Sequence, residues 1–128
     1  MIYVDSNVFI YAVGRTHPLR SEAQDFFISS RASGKKLVTS AEVLQELLHV
    51  YLPVWRIETL DAALQLAVGG TDEIFPIEAD FVMHARRLAE SHPALSARDL
   101  LHLSVCQVKK IKELKTFDRG LMIAFQGK

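Results

Sequence analysis

Four acidic residues stand where a carboxylate could reach the edge of a sheet: Asp5, Glu46, Asp99 and Asp118. Asp5 ends the β-prone run Ile2-Tyr3-Val4, and Ser6 and Asn7 follow it at once. Asp118 closes the run Leu114-Lys115-Thr116-Phe117 in the same way. Asp99 follows Ser96 at capping-box spacing, with Leu95, Leu100, Leu101 and Leu103 around it. Glu46 falls on a helix, bordering the stripe Val43, Leu47, Val50 and Tyr51, where a carboxylate is costly unless its charge is compensated. Glu42 has the simpler explanation of a Thr39-x-x-Glu42 capping box. Asp5, Asp99 and Asp118 could each be caps as well, and Ser6 reads as the cap of the first helix. Taken as a set, the four have a different meaning. Carboxylates sharing one pocket repel each other unless a cation joins them. Oxygen donors favour Mg²⁺ or Mn²⁺ over zinc. Such an ion activates water and supports in-line attack at phosphorus.

Positioning the four acids together requires strands alternating with helices. The expected strands are Ile2–Val4, 35–39, 73–77 and 113–117. Between them lie helical patterns over 8–13, 18–32, 40–52, 55–68, 79–90 and 96–110. Gly69-Gly70 reads as a helix stop, and Pro76 marks the third strand as short or at an edge. The tail 121–125 is apolar and reads as a strand or a docked turn. This alternation predicts one α/β domain over residues 1–128, a three-layer α/β/α arrangement around a mainly parallel four- or five-stranded sheet. All strand C-termini of a parallel sheet lie on one edge, and helices begin there. Acids following the first and last inner strands can therefore meet the acids of early helical turns.

Composition narrows the class without choosing a substrate. The chain has 128 residues, 49% of them hydrophobic, and no net charge. Residues 1–97 carry 8 basic and 12 acidic side chains, while residues 98–128 carry 7 and 3. That asymmetry permits a local polyanion site near the C-terminal part. Arg98, Arg119, Lys109, Lys110, Lys112 and Lys115 are the candidate phosphate contacts, set against the ordinary alternative of solvated lysines at a helix end. The single Cys106 sits in an apolar run and reads as a small core residue. His102, one turn after Asp99, reads as packed, and His49 as surface. A reduced, cytoplasmic setting is expected, with no secretory signal and no membrane span.

Four stretches in order resemble the PIN-domain family, and within it the VapC-like toxins of toxin–antitoxin pairs. They are Val4-Asp5-Ser6-Asn7-Val8-Phe9-Ile10-Tyr11, Thr39 to Leu47, Ala97-Arg98-Asp99-Leu100-Leu101-His102-Leu103, and Thr116-Phe117-Asp118-Arg119-Gly120. The resemblance implies a Mg²⁺- or Mn²⁺-dependent endoribonuclease. Asp5, Glu46, Asp99 and Asp118 match its acidic quartet, with Thr116 and Asn7 in support. It further implies an RNA substrate, a cognate antitoxin and a homodimer. The apolar residues around Val50-Tyr51-Leu52 and Trp55 are the candidates for a dimer contact. The chain departs from the commonest family pattern at Ile111, Cys106 and Ser104, all outside the acids. The rival classes are an inactive PIN-like scaffold and a receiver-like Mg²⁺-binding module. A receiver needs an acidic pair after its first strand and a lysine after a late one, and Ile2-Tyr3-Val4-Asp5 and Thr116-Phe117-Asp118 supply neither.

Overall fold

In a computed structural model describing residues 1–127, four parallel strands form one sheet in the order β3-β2-β1-β4. The strands are β1 (Ile2–Val4), β2 (Leu37–Ser40), β3 (Glu73–Phe75) and β4 (Glu113–Lys115). The helices are α1 (Ser6–Val13), α2 (Pro18–Ala32), α3 (Ala41–Tyr51), α4 (Ile57–Gly70), α5 (Ala79–Leu88), α6 (Ala97–Val108) and α7 (Arg119–Phe125). This is the mainly parallel α/β/α arrangement that the alternation of strands and helices predicts. β1 lies between β2 and β4, with Tyr3 opposite both Val38 and Leu114. Buried on both faces, β1 and β2 show continuous burial rather than alternation, as inner parallel strands do. α1 packs on α2, α3 and α4, while α6 packs on α5 and α7. Tyr3, Val4, Phe9, Val38, Val43, Leu47, Leu103 and Leu121 lie at the centre of the core.

Several boundaries differ from expectation, each for a local reason. The tail 121–125 is helical, because Asp118 caps it by accepting from Leu121 N–H at 3.0 Å. Among the described residues the sheet therefore stops at four strands. Gly69 and Gly70 are the last residues of α4 rather than residues beyond it; its end is closed by Thr71, whose hydroxyl donates to Ala67 O at 2.6 Å. Thr39 does not cap α3. Its hydroxyl donates instead to Val4 O at 2.8 Å, tying β2 to β1, so Glu42 has no capping box. Ser6 is not the cap of α1 either, since the Asp5 carboxylate accepts from Ser6 N–H. Val50 is exposed near the end of α3, and the buried stripe there is Val43, Leu47 and Tyr51.

The turn after α6 shows how the chain enters β4. Ile111 N–H donates to Cys106 O at 2.8 Å and Lys110 N–H to Gln107 O at 3.1 Å, closing the helix with the two bonds of a Schellman motif. The first residue past the helix cap needs a left-handed backbone in this motif, and Lys110 provides it at φ 56°. Glycine adopts that conformation without a Cβ penalty. Lys110→Gly is expected to raise stability by about 0.5–1 kcal/mol, read as a higher urea midpoint at unchanged m.

Candidate active site

The site lies beyond the C-terminal edge of the sheet, where β1 and β4 end and α1 and α6 begin. Asp5 is only 4% exposed. One of its oxygens accepts from Ser6 N–H at 2.7 Å and the other from the Thr116 hydroxyl at 2.7 Å. Thr116 Oγ1 in turn accepts from Asn7 Nδ2 at 3.2 Å and from Asp118 N–H at 3.0 Å. Asn7 Oδ1 accepts from Phe117 N–H at 3.2 Å, which fixes the amide's orientation. A single hydroxyl thus joins the ends of β1 and β4 to the first turn of α1. Partners around a site carboxylate typically account for 10- to 100-fold in metal affinity or activity. Thr116→Val is expected to cost about that much and Thr116→Ser little, measured by metal titration and by cleavage rate.

Glu46 reaches the site from α3. It lies on the flank of its helix, and its burial comes from residues of α1 and α6. The Ser6 hydroxyl donates to Glu46 Oε2 at 2.9 Å, and His102 Nε2 donates to Oε1. His102 is 1% exposed, and its Nδ1 lies 2.7 Å from the Tyr3 hydroxyl, which is also 2.7 Å from Ser40 Oγ. A buried polar row therefore runs Ser40, Tyr3, His102, Glu46, with Asp5 Oδ1 3.6 Å from His102 Nε2. His102 is packed, as its sequence setting suggests, yet it is also the cation beside two of the acids. Ser6, Tyr3 and Ser40 carried no distinctive sequence signal. His102 did carry one, its three-residue offset from Asp99 on one helix face.

Burial raises the Asp5 carboxyl above its usual value, more than His102 and Thr116 lower it. Burial also raises Asp99, and the charges of Asp118 and Asp5 raise it further. Glu46 moves the other way. Burial alone would raise it, but the hydrogen bond and charge of His102 and the Ser6 hydroxyl together bring it below its usual value. His102 is raised, because Glu46, Asp5 and Asp99 outweigh its desolvation. Both shifts favour the carboxylate–imidazolium form of this Glu46–His102 pair. Cys106, pushed by burial up to about 12, stays a thiol in the core.

Asp99 and Asp118 line a shallow cleft of about 390 Å³ with His92, Pro93, Leu95 and Ile123. A larger cleft of about 670 Å³ lies at the opposite edge, where β2 begins, but Asp72 is its only acid and accepts from Leu37 N–H. Chemistry, not size, selects the smaller one. Arg98 is close enough to help hold Glu46 low, while at Glu42 it only partly offsets the burial and the Glu46 charge that raise that carboxyl. Arg119 is exposed beside Asp118. Lys109 and Lys110 are at the far end of α6, about 15 Å along the helix from Asp99 at 1.5 Å per residue. The Lys109 ammonium lies 4.9 Å from the centre of the Phe75 ring.

The model of the PIN domain matches residues 2–124. The chain belongs to the PIN-domain family. Ribonuclease VapC23 of Mycobacterium tuberculosis is 55% identical over 127 residues, covering 99% of this chain and all of that protein. Ribonuclease VapC13 of the same organism is 44% identical over 120 residues, covering 94% and 92%. Among solved structures, this PIN domain superposes on M. tuberculosis VapC20, a sarcin–ricin loop cleaving toxin, with a TM-score of 0.82 at 20% identity, covering 97% and 95%. FitAcB from Neisseria gonorrhoeae follows at 0.71 and 18% identity, covering 98% and 94%.

The donor set of this PIN domain suits the divalent cation its family implies. Ligand atoms of Asp5, Glu46 and His102 lie within 4.8 Å of one another. Burial raises the Asp5 and Asp99 carboxyls and neighbouring acids add to it, so a bound cation would favour the charged form of both. Both His102 nitrogens are committed to hydrogen bonds and have no lone pair to spare, whereas each carboxylate oxygen keeps a second one, which leaves carboxylate oxygens as the available donors.

Proposed function

We propose that this chain is a divalent-metal-dependent endoribonuclease that hydrolyses RNA phosphodiester bonds, the toxin of a toxin–antitoxin pair. The full-length 55% identity to a ribonuclease carries the reading, and the carboxylates grouped at the sheet edge supply its chemistry. Asp5, Asp99, Asp118 and Glu46 would hold Mg²⁺ or Mn²⁺, as oxygen donors favour. When bound, that ion supplies Lewis-acid activation of water and charge stabilisation at phosphorus. Asn7 and Thr116 orient Asp5, and Ser6 and His102 orient Glu46. A proton acceptor works best with a carboxyl poised toward neutrality. Asp99 opens to the cleft and is the better placed of the two for that role, since both Glu46 oxygens are engaged by Ser6 and His102. Arg98 and Arg119, flanking the acids, are the phosphate contacts favoured by position.

A cognate antitoxin and a second copy of the chain are the protein partners in this reading. A chain of the VapBC2 structure from Rickettsia felis, bound to a DNA fragment from their promoter, shares the fold at a TM-score of 0.62 and 18% identity, covering 92% of this chain and all of that one. Exposed Leu48, Leu52, Val54 and Trp55 offer an apolar face suited to dimerisation. A cytoplasmic site of action fits a ribonuclease, and no helix among the described residues is long and apolar enough to cross a membrane. The test is cleavage of RNA with Mg²⁺ or Mn²⁺ by the wild type, Asp5→Ala and Asp99→Ala. Activity confined to the wild type supports the assignment, and equal activity in all three would sink it.

A further inference from the structure

A row of aromatic rings leads away from the carboxylates on the α1 side. Phe117 stands between Thr116 and Asp118, and its backbone N–H is held by Asn7. Tyr11 is one turn after Asn7 on α1, so both project from one face of that helix. The Tyr11 ring meets Phe117 edge-on with centroids 5.5 Å apart, and meets His17 at 4.6 Å and 36°. Phe117 and Tyr11 are half-buried and His17 is exposed. His17 is also held in place, since its Nδ1 accepts from Leu19 N–H at 3.1 Å and caps α2. Lys115 extends the group, with its ammonium 4.9 Å from the Phe117 centroid and 3.7 Å from Glu22.

A strand cut at the carboxylates must lay its neighbouring nucleotides on surfaces that acids do not repel. Aromatic side chains meet that need, because every base has a π-face and stacking tolerates any sequence. We propose that His17, Tyr11 and Phe117 form a stacking platform for bases of single-stranded RNA next to the scissile phosphate. The platform rests on the ribonuclease reading for its substrate, but base binding is measurable without cleavage.

The experiment compares two fluorescein-labelled dodecamers by anisotropy in low-salt buffer with EDTA. One is oligoadenylate, and the other has the same phosphates with tetrahydrofuran spacers in place of nucleosides. The wild type is expected to prefer the base-bearing strand by about tenfold or more, within the range of a single base–aromatic stack. His17→Asn removes the ring while keeping a side-chain acceptor for the helix cap. Phe117→Leu removes a ring while keeping apolar volume. Each should reduce the preference severalfold, and a merely structural role would weaken both strands equally. An unchanged preference in both variants, or no preference in the wild type, overturns the platform. A chain that keeps the preference yet cuts no RNA with metal retains the platform and loses the ribonuclease assignment.

Discussion

Asp5→Asn is expected to lower metal-dependent RNA cleavage by roughly a thousandfold or more, the scale on which an essential catalytic group is lost. The Asp5 carboxylate faces Ser6 and Thr116 hydrogen bonds on its two oxygens and feels the charges of Glu46 and His102. Asparagine keeps the shape and removes the charge that would bind a cation, at the loss of one of the two accepted hydrogen bonds, because its amide nitrogen only donates. The same change should stabilise the metal-free fold at neutral pH. Because the folded protein raises the Asp5 carboxyl, it favours the protonated form. That contribution is complete below the usual carboxyl value of 3.8 and is lost as pH rises through the folded value. At pH 7 the wild type therefore carries a buried charge at an energetic disadvantage, and the variant does not. In EDTA, Asp5→Asn should melt above the wild type at pH 7, with the gap closing toward pH 4. Added Mn²⁺ should raise the wild-type melting temperature more than the variant's. A variant that melts lower than the wild type at pH 7 would contradict the electrostatic account.

His102→Ala is expected to destabilise the fold by about 3–5 kcal/mol, the usual cost of removing one partner of a buried ion pair. The imidazole is 1% exposed, so its loss leaves a cavity. Tyr3 and Glu46 both lose a hydrogen-bond partner, and Glu46 stays buried beside Asp5 without its cation. The loss should depend on pH. Glu46, depressed in the fold, contributes stability above its usual 4.5 and loses it as pH falls through the folded value. His102, raised in the fold, contributes fully below its usual 6.5 and loses it as pH rises through the folded value. Urea unfolding in EDTA should therefore show the largest gap from wild type between about pH 4.5 and 6.5. The gap should narrow at alkaline pH, where only packing and neutral hydrogen bonds remain. A gap that is constant from pH 5 to 9 would mean that His102 is neutral and purely a packing residue.

The two variants separate what the residue pattern reveals from what it hides. The four strands and the helices between them were legible because their periods, caps and breakers are local. Asp5, Asp99 and Asp118 stood out because each follows a strand or opens a helix. The tail 121–125 was ambiguous for the same local reason: five residues of apolar chain fit a strand or a short helix equally well. The Asp118 cap makes it a helix, and that requires the Asp118 side chain to fold back over the turn. The Thr39 capping box failed because the Val4 carbonyl, 35 residues away in sequence, competed for the same hydroxyl.

The family, the parallel α/β order and the acids at the sheet edge are determined by sequence alone, since strand ends and helix starts carry their own markers. Only the tertiary structure decided how the charges are balanced. Ser6 became a bridge between Asp5 and Glu46, and His102 the buried cation between them, because α1, α3 and α6 converge beyond β1. No spacing along one element predicts such a meeting. The carboxylates' protonation depends on burial and on partners 40 to 111 residues away, and those distances exist only after folding.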